Sequence, residues 1–137
     1  DGFIIPDLPP EEAAMFAVRE RESMALVFLV APTSNPQRLK LVSEKASGFI
    51  YVVSVTGTTG TRTELPADLV EFIQRVRGQI DLPLVLGFGI STPEHARQLN
   101  GLLLDGFIVG SALTRAIGSG GLPAMKTLTA SLRQALD

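Results

Sequence analysis

The sequence predicts an α/β fold in which the strands form one parallel sheet. Short apolar segments recur about every 25 residues along the 137-residue chain, and the segments between them carry helix-start signals. In addition, glycine-rich turns directly follow the last two apolar segments. Strands that alternate with helices build a parallel sheet, which is either doubly wound or closed into a barrel.

The five predicted strands are rich in β-branched and aromatic residues and do not alternate cleanly between apolar and polar positions. This pattern is typical of strands that are buried on both faces of a parallel sheet. The predicted strands are Phe3 to Pro6, Leu26 to Val30, Phe49 to Val53, Leu84 to Leu86, and Phe107 to Val109.

The predicted helices begin at a proline or a capping residue, and three of the six carry an acidic residue in the first turn. They run from Pro10 to Glu22, from Pro36 to Ala46, from Pro66 to Arg77, from Pro93 to Leu99, from Ser111 to Ile117, and from Pro123 to Leu136. The glycines of segment 118–121 separate the last two helices. No linker or change of composition divides the chain, so we expect residues 1–137 to form a single domain.

Composition excludes several function classes. The net charge is −2 and the charged residues are scattered along the sequence. The sequence therefore shows no basic cluster that would bind nucleic acid or an anionic membrane surface. The chain has no cysteine, which excludes disulfides and thiolate metal sites and is compatible with the cytoplasm. No apolar run approaches the roughly 20 residues that span a bilayer.

Two glycine turns indicate a phosphorylated ligand. Gly87-Phe88-Gly89-Ile90-Ser91 follows the fourth predicted strand, and Gly110-Ser111 follows the fifth. Turns after adjacent parallel strands lie at one edge of the sheet, where backbone N–H groups and helix N-termini can hold a phosphate.

The position of these turns favours the barrel over the doubly wound sheet. Eight-stranded barrels often bind phosphate after strands seven and eight, and the first predicted strand here lacks the G-x-G-x-x-G turn of dinucleotide-binding domains. We therefore expect five β/α units of a TIM (β/α)8 barrel, strands 4 to 8, with three strands missing. The alternatives are a relaxed open parallel sheet and a barrel completed by self-association.

Five ordered segments of the chain resemble the tryptophan synthase alpha chain, a barrel of the ribulose-phosphate-binding type. The segments are Pro6 to Glu12, Phe28 to Ser34, Gly48 to Gly60, Gly87 to Glu94, and Val109 to Ala112. A single segment would be weak evidence because similar glycine turns occur in several phosphate-binding barrels. The ordered set covers essentially the whole chain and disfavours another such barrel, for example a phosphoribosyl isomerase.

The resemblance implies a carbon–carbon lyase of tryptophan biosynthesis. The family cleaves indole-3-glycerol phosphate to indole and glyceraldehyde 3-phosphate and passes the indole to a beta subunit, which holds pyridoxal phosphate. The resemblance therefore implies a beta-subunit partner and a small phosphorylated substrate. It implies no cofactor and no metal in this chain.

The resemblance also assigns site residues. Phosphate-binding positions of the family match Gly60, Gly89, Gly110 and Ser111, and positions beside the indole ring match Leu29, Tyr51, Phe88 and Ile108. Thr59 lies with Gly60 in a loop rich in glycine and threonine, which we expect to close over the substrate. The alternative for this loop is a solvent-exposed connection.

The two catalytic carboxylates of the family are expected upstream of Asp1. The resemblance thus places no catalytic residue in this chain, and we expect the chain alone to be inactive. The alternatives are a phosphate-binding fragment and a self-associating half-barrel without catalysis, because apolar strand edges invite pairing between copies.

Two other residues could be mistaken for catalytic groups. Asp7 follows the first predicted strand, and we interpret it as a cap or turn residue. His95 is the single histidine, and we expect it on the solvent side of the helix that begins at Pro93.

Overall fold

The computed structural model describes residues 1–15, 24–54, 67–87 and 89–137. It contains all five predicted strands in one parallel sheet, in which each strand pairs with its neighbours in the chain. The strands are Gly2–Ile4 (β1), Ala25–Val30 (β2), Ile50–Val53 (β3), Leu84–Gly87 (β4) and Gly106–Ile108 (β5). The α/β prediction is confirmed, and an incomplete barrel fits this sheet.

The helices of the described residues lie between the strands and after the last one. They are a 3₁₀ helix, Pro10–Met15, and four α-helices, Pro36–Lys45 (α1), Ala67–Arg77 (α2), Pro93–Gln98 (α3) and Ser111–Gln134 (α4). None of these helices has the length and apolar character that crossing a membrane requires.

The first β/α unit differs from the prediction. Strand β1 ends at Ile4 rather than at Pro6, because Pro6 has no N–H group for the sheet and the Leu8 N–H donates to the Ile5 carbonyl in a turn. The segment after Pro10 begins as a 3₁₀ helix and not as an α-helix. The rest of that predicted helix, residues 16–22, lies outside the described residues.

Side-chain caps confirm two predicted helix starts. The Asn35 Oδ1 accepts a hydrogen bond from the Arg38 N–H at 2.8 Å, and the Thr92 Oγ1 accepts one from the His95 N–H at 3.3 Å. Each cap satisfies a first-turn N–H group that has no partner within the helix. These caps fix the starts of α1 and α3, which lie shortly after the carboxyl ends of β2 and β4.

The predicted break after the fifth strand is present as a kink inside α4. Gly120 and Gly121 have non-helical backbone angles, and Gly121 has φ 64°, a value that favours glycine. The kink divides α4 into two helical segments, and the chain resumes its helix near Pro123.

One face of the sheet packs against the helices and forms the core. Alternate residues of β3 and β4 are fully buried there together with residues of the helices, because successive side chains of a strand point to opposite faces. This core includes Phe28, Ile50, Val52, Leu84 and Leu86 from the strands and Leu39, Val42, Phe72, Ile73 and Val76 from the helices. The half-buried residues of β3 and β4 therefore lie on the other face of the sheet.

An arginine-centred network ties the amino ends of β4 and β5 together. Arg77 of α2 donates hydrogen bonds to the carbonyl oxygens of Leu82 (3.1 Å) and Leu103 (3.2 Å) and forms an ion pair with Asp105. The Asp105 carboxylate also accepts a hydrogen bond from the Leu84 N–H at 2.8 Å. The hydrogen bond from the Leu84 N–H makes the largest contribution to lowering the pKa of Asp105, and Arg77 lowers this pKa further.

Candidate functional site

The two glycine turns lie at the same edge of the sheet. Strands β4 and β5 are parallel neighbours, and Gly87 at the end of β4 is the register partner of Ile108 at the end of β5. The segments that follow contain Gly89 in one case, and Gly110 and Ser111 in the other. This carboxyl edge is opposite to the edge at which Arg77 and Asp105 form their ion pair.

Gly110 and Ser111 form the exposed start of helix α4. Gly110 is the residue before the helix, its carbonyl oxygen accepts from the Thr114 N–H at 3.1 Å, and no side chain caps this end. The first N–H groups of a helix have no partner within it, and the helix dipole favours an anion there. The start of α4 can therefore donate hydrogen bonds to a bound anion.

The described residues leave the space in front of Gly89 and Gly110 open. A Cβ atom built on Gly89 or on Gly110 would meet no heavy atom of the described structure within 4 Å. Gly89 also has φ +23°, a backbone angle that residues with a side chain rarely adopt. Both residues are exposed, so a ligand can approach their backbone closely.

Three predicted pocket residues share the sheet face that points away from the helices. Leu29 on β2 is the register partner of Tyr51 on β3, and the partner of Tyr51 on β4 is Val85. Gly87 lies two residues after Val85 and therefore on the same face. Its register partner on β5 is Ile108, which shares this face. All three side chains are half-buried. They form an apolar and aromatic surface below the carboxyl edge.

Sequence reasoning missed a close contact between Tyr51 and Gly87. A Cβ atom on Gly87 would overlap the Cε1, Cζ and hydroxyl oxygen atoms of the Tyr51 ring. Gly87 therefore makes room for the ring, a role separate from the turn that follows it. The only signal in the sequence is a glycine that closes an apolar strand.

Three predicted site residues lie outside the described residues. Thr59 and Gly60 belong to segment 55–66, and Phe88 follows β4 directly. The closing loop and the roles of these residues remain predictions.

The alternative catalytic candidates occupy positions suited to structure. Asp7 is exposed in the turn after β1, and its side chain has no hydrogen-bond partner among the residues that the structure describes, so it fits a turn residue but not a cap. His95 is half-buried in α3, which is less exposed than expected.

Among the described residues, the carboxyl groups with displaced pKa values are Glu94 and Asp105. The pKa of Glu94 is lowered by a backbone hydrogen bond and then by Thr92 and Arg97, and that of Asp105 by Leu84 and Arg77. Both groups are thus ionised at neutral pH. A general acid needs the opposite displacement, towards neutrality.

A family model described as "Tryptophan synthase alpha chain" matches residues 1–135. The chain is 48% identical to the tryptophan synthase alpha chain of Dehalococcoides mccartyi over 99% of its length and 54% of the relative. It is 41% identical to that of Synechococcus elongatus over its full length and 52% of the relative. The chain thus spans about half the length of these curated relatives.

Solved structures match the fold as well. The chain superposes on a mutant tryptophan synthase alpha-subunit from the hyperthermophile Pyrococcus furiosus with a TM-score of 0.80 and 33% identity, covering 99% of this chain and 55% of the other. It matches tryptophan synthase from M. tuberculosis, in the open form with BRD0059 bound, with a TM-score of 0.83 and 36% identity. That match covers 98% of this chain and 50% of the other.

The ordered sequence segments, the parallel sheet and these matches lead to one assignment. The chain belongs to the tryptophan synthase alpha chain family.

Proposed function

We propose that this chain supplies the phosphate-binding and indole-binding parts of an enzyme that cleaves indole-3-glycerol phosphate to indole and glyceraldehyde 3-phosphate. The observation that carries the proposal is the shared edge of β4 and β5, where Gly89, Gly110 and Ser111 lie exposed and no described residue fills the space before the two glycines. The family assignment supports tryptophan biosynthesis as its context, and we place the single-domain protein in the cytoplasm.

The two parts of the site suit the two ends of such a substrate. Backbone N–H groups at the start of α4, with the Ser111 hydroxyl, would bind the phosphate, and Gly60 and Gly89 would let the backbone approach it. Leu29, Tyr51 and Ile108 offer the flat apolar surface that an indole ring needs, and Phe88 and Thr59 would complete it.

Catalysis requires groups that we assign to the polypeptide upstream of Asp1. The reaction moves protons on and off the indole ring and a glycerol hydroxyl, so it needs a general acid and a general base. We infer that the family's two catalytic carboxylates lie upstream and that this chain alone does not turn over substrate. It uses no cofactor of its own, because pyridoxal phosphate belongs to the beta subunit that we propose as its partner.

An assay of indole release tests this division. The chain alone should release no indole from indole-3-glycerol phosphate, and the chain mixed with the upstream half of the Dehalococcoides mccartyi relative should release it. Absence of release from a mixture whose halves associate would reject the proposal. Release by the chain alone would reject the upstream location of the carboxylates.

A second candidate is a phosphate-binding module that associates with its own copies. Strand β1 lies at one end of the sheet and exposes Phe3 and Ile4, with 44% and 46% of their surfaces accessible. Exposed apolar edge strands favour pairing between chains. Sedimentation should show dimers or larger species at micromolar concentration, and a monomer would exclude this candidate.

A further inference from the structure

A cavity of about 720 Å³ lies beside helix α4, and its lining includes none of Gly89, Gly110 and Ser111. Ala112, Arg115, Ala116, Gly118 and Ser119 line it from the first segment of α4, Leu128 lines it from the second segment, and Ser91 lines it from the turn after β4. Ala112, Arg115, Ala116 and Ser119 lie on one helix face, because their spacing is i, i+3, i+4 and i+7. The cavity is a wide depression open to solvent and not an enclosed pocket.

Arg115 supplies the positive charge of this cavity. Among the described residues that line it, Arg115 is the one cation, and there is no carboxylate. Ser91 and Ser119 add hydroxyl groups. The Ser119 hydroxyl donates to the Ala116 carbonyl at 3.2 Å, whereas the Ser91 hydroxyl has no partner among the described residues.

Arg115 differs from the other arginines of the described chain. Each of the others binds a carboxylate or a carbonyl oxygen: Arg38 binds Glu11, Arg75 binds the Pro32 carbonyl, Arg77 binds Asp105, Arg97 binds Glu94, and Arg133 binds Asp137. Arg115 has neither a hydrogen bond nor an ion pair within the described residues. Its five N–H donors are available to a ligand.

We propose that this cavity binds a small organic carboxylate with an apolar body. A guanidinium group matches a carboxylate in a bidentate geometry, and the Ser91 hydroxyl can donate a further hydrogen bond. Ala112, Ala116 and Leu128 provide apolar contacts for the rest of the molecule. One guanidinium group suits one negative charge, which distinguishes this cavity from the backbone N–H groups proposed to bind phosphate.

The experiment is a titration of the ¹⁵N-labelled 137-residue chain with 3-phenylpropionate, followed by NMR. We expect the amide signals of Ser91, Arg115 and Ser119 to move with a saturable dependence, and the neutral alcohol 3-phenylpropanol to move them much less. Arg115→Gln should weaken binding by about tenfold, because it removes a charge-assisted hydrogen bond. Ala116→Leu should weaken it as well by filling the cavity.

Lys126→Gln is the matched control, since it removes one positive charge from an exposed position of the same helix outside the lining. It should bind 3-phenylpropionate as tightly as the unchanged chain, and circular dichroism should show that all three variants are folded. Equal affinity of the Arg115→Gln variant, equal weakening by Lys126→Gln, or no saturable shift at the lining residues would overturn the proposal. Glycerol 3-phosphate binding at Gly110 and Ser111 is measured separately, so the two proposals can fail independently.

Discussion

The ring of Tyr51 on β3 occupies the space where a side chain on Gly87 of β4 would begin. The register partner of Tyr51 is Val85, so the ring leans along the strands by two residues, towards the carboxyl edge. This contact joins the proposed indole-binding surface to the turn that contains Gly89.

The substitution Gly87→Ala should destabilise the fold by roughly 1–3 kcal/mol, because its methyl group must displace the Tyr51 ring. Urea unfolding measures the change. Gly106→Ala is the control, since a Cβ atom at this position on the neighbouring strand meets nothing within 4 Å. In a Tyr51→Ala background, we expect Gly87→Ala to lower the free energy of unfolding by less. If the effects of the two substitutions on the free energy of unfolding are additive, the contact between Tyr51 and Gly87 is contradicted.

The strands and helix starts could be predicted from the sequence because their signals are local. Apolar runs located all five strands to within two residues at each end, and Asn35 and Thr92 marked two helix starts by their ability to cap. The role of Gly87 could not be predicted, since it depends on a ring carried by another strand. The same holds for the cavity beside Arg115, because Leu128 reaches it only after the kink at Gly120 and Gly121.

Asp105 should make the stability of the fold depend on pH in the acid range. Its pKa is lowered in the folded protein from an ordinary value of 3.8, so its stabilising contribution is present above pH 3.8 and is lost as the pH falls through the lower folded value. The Asp105→Asn variant should be less stable than the unchanged chain by about 1 kcal/mol at pH 7, since the group is partly exposed.

The difference should shrink as the pH falls below 3.8 in a series of urea-unfolding measurements between pH 7 and pH 3. Asp137→Asn serves as the control because Asp137 pairs with Arg133 at an exposed helix end. It should change stability little at any pH. A constant difference between Asp105→Asn and the unchanged chain across the series would show that Asp105 acts through something other than its charge.

Gly110→Ala should separate ligand binding from folding. The added methyl group points into open space, so the stability of the fold should change by about 1 kcal/mol or less. The same methyl group would lie where we propose that phosphate approaches the backbone, and glycerol 3-phosphate should bind roughly tenfold more weakly. Isothermal titration calorimetry measures the affinity.

Gly78→Ala is the matched control for this prediction. Gly78 follows α2, far along the chain from the proposed site, and a Cβ atom there makes ordinary contacts of 3.5 and 3.6 Å. The control should bind glycerol 3-phosphate like the unchanged chain. If Gly110→Ala binds as tightly as Gly78→Ala, the phosphate does not approach the backbone at the start of α4.

The most direct measurement is an NMR titration of the ¹⁵N-labelled chain with glycerol 3-phosphate. The account predicts saturable shifts of the amide signals of Gly89, Gly110 and Ser111, with little change at Leu84 and Asp105 on the opposite edge of the sheet. Three unmoved signals at millimolar glycerol 3-phosphate, in a chain that is folded by the same spectra, would contradict the phosphate site.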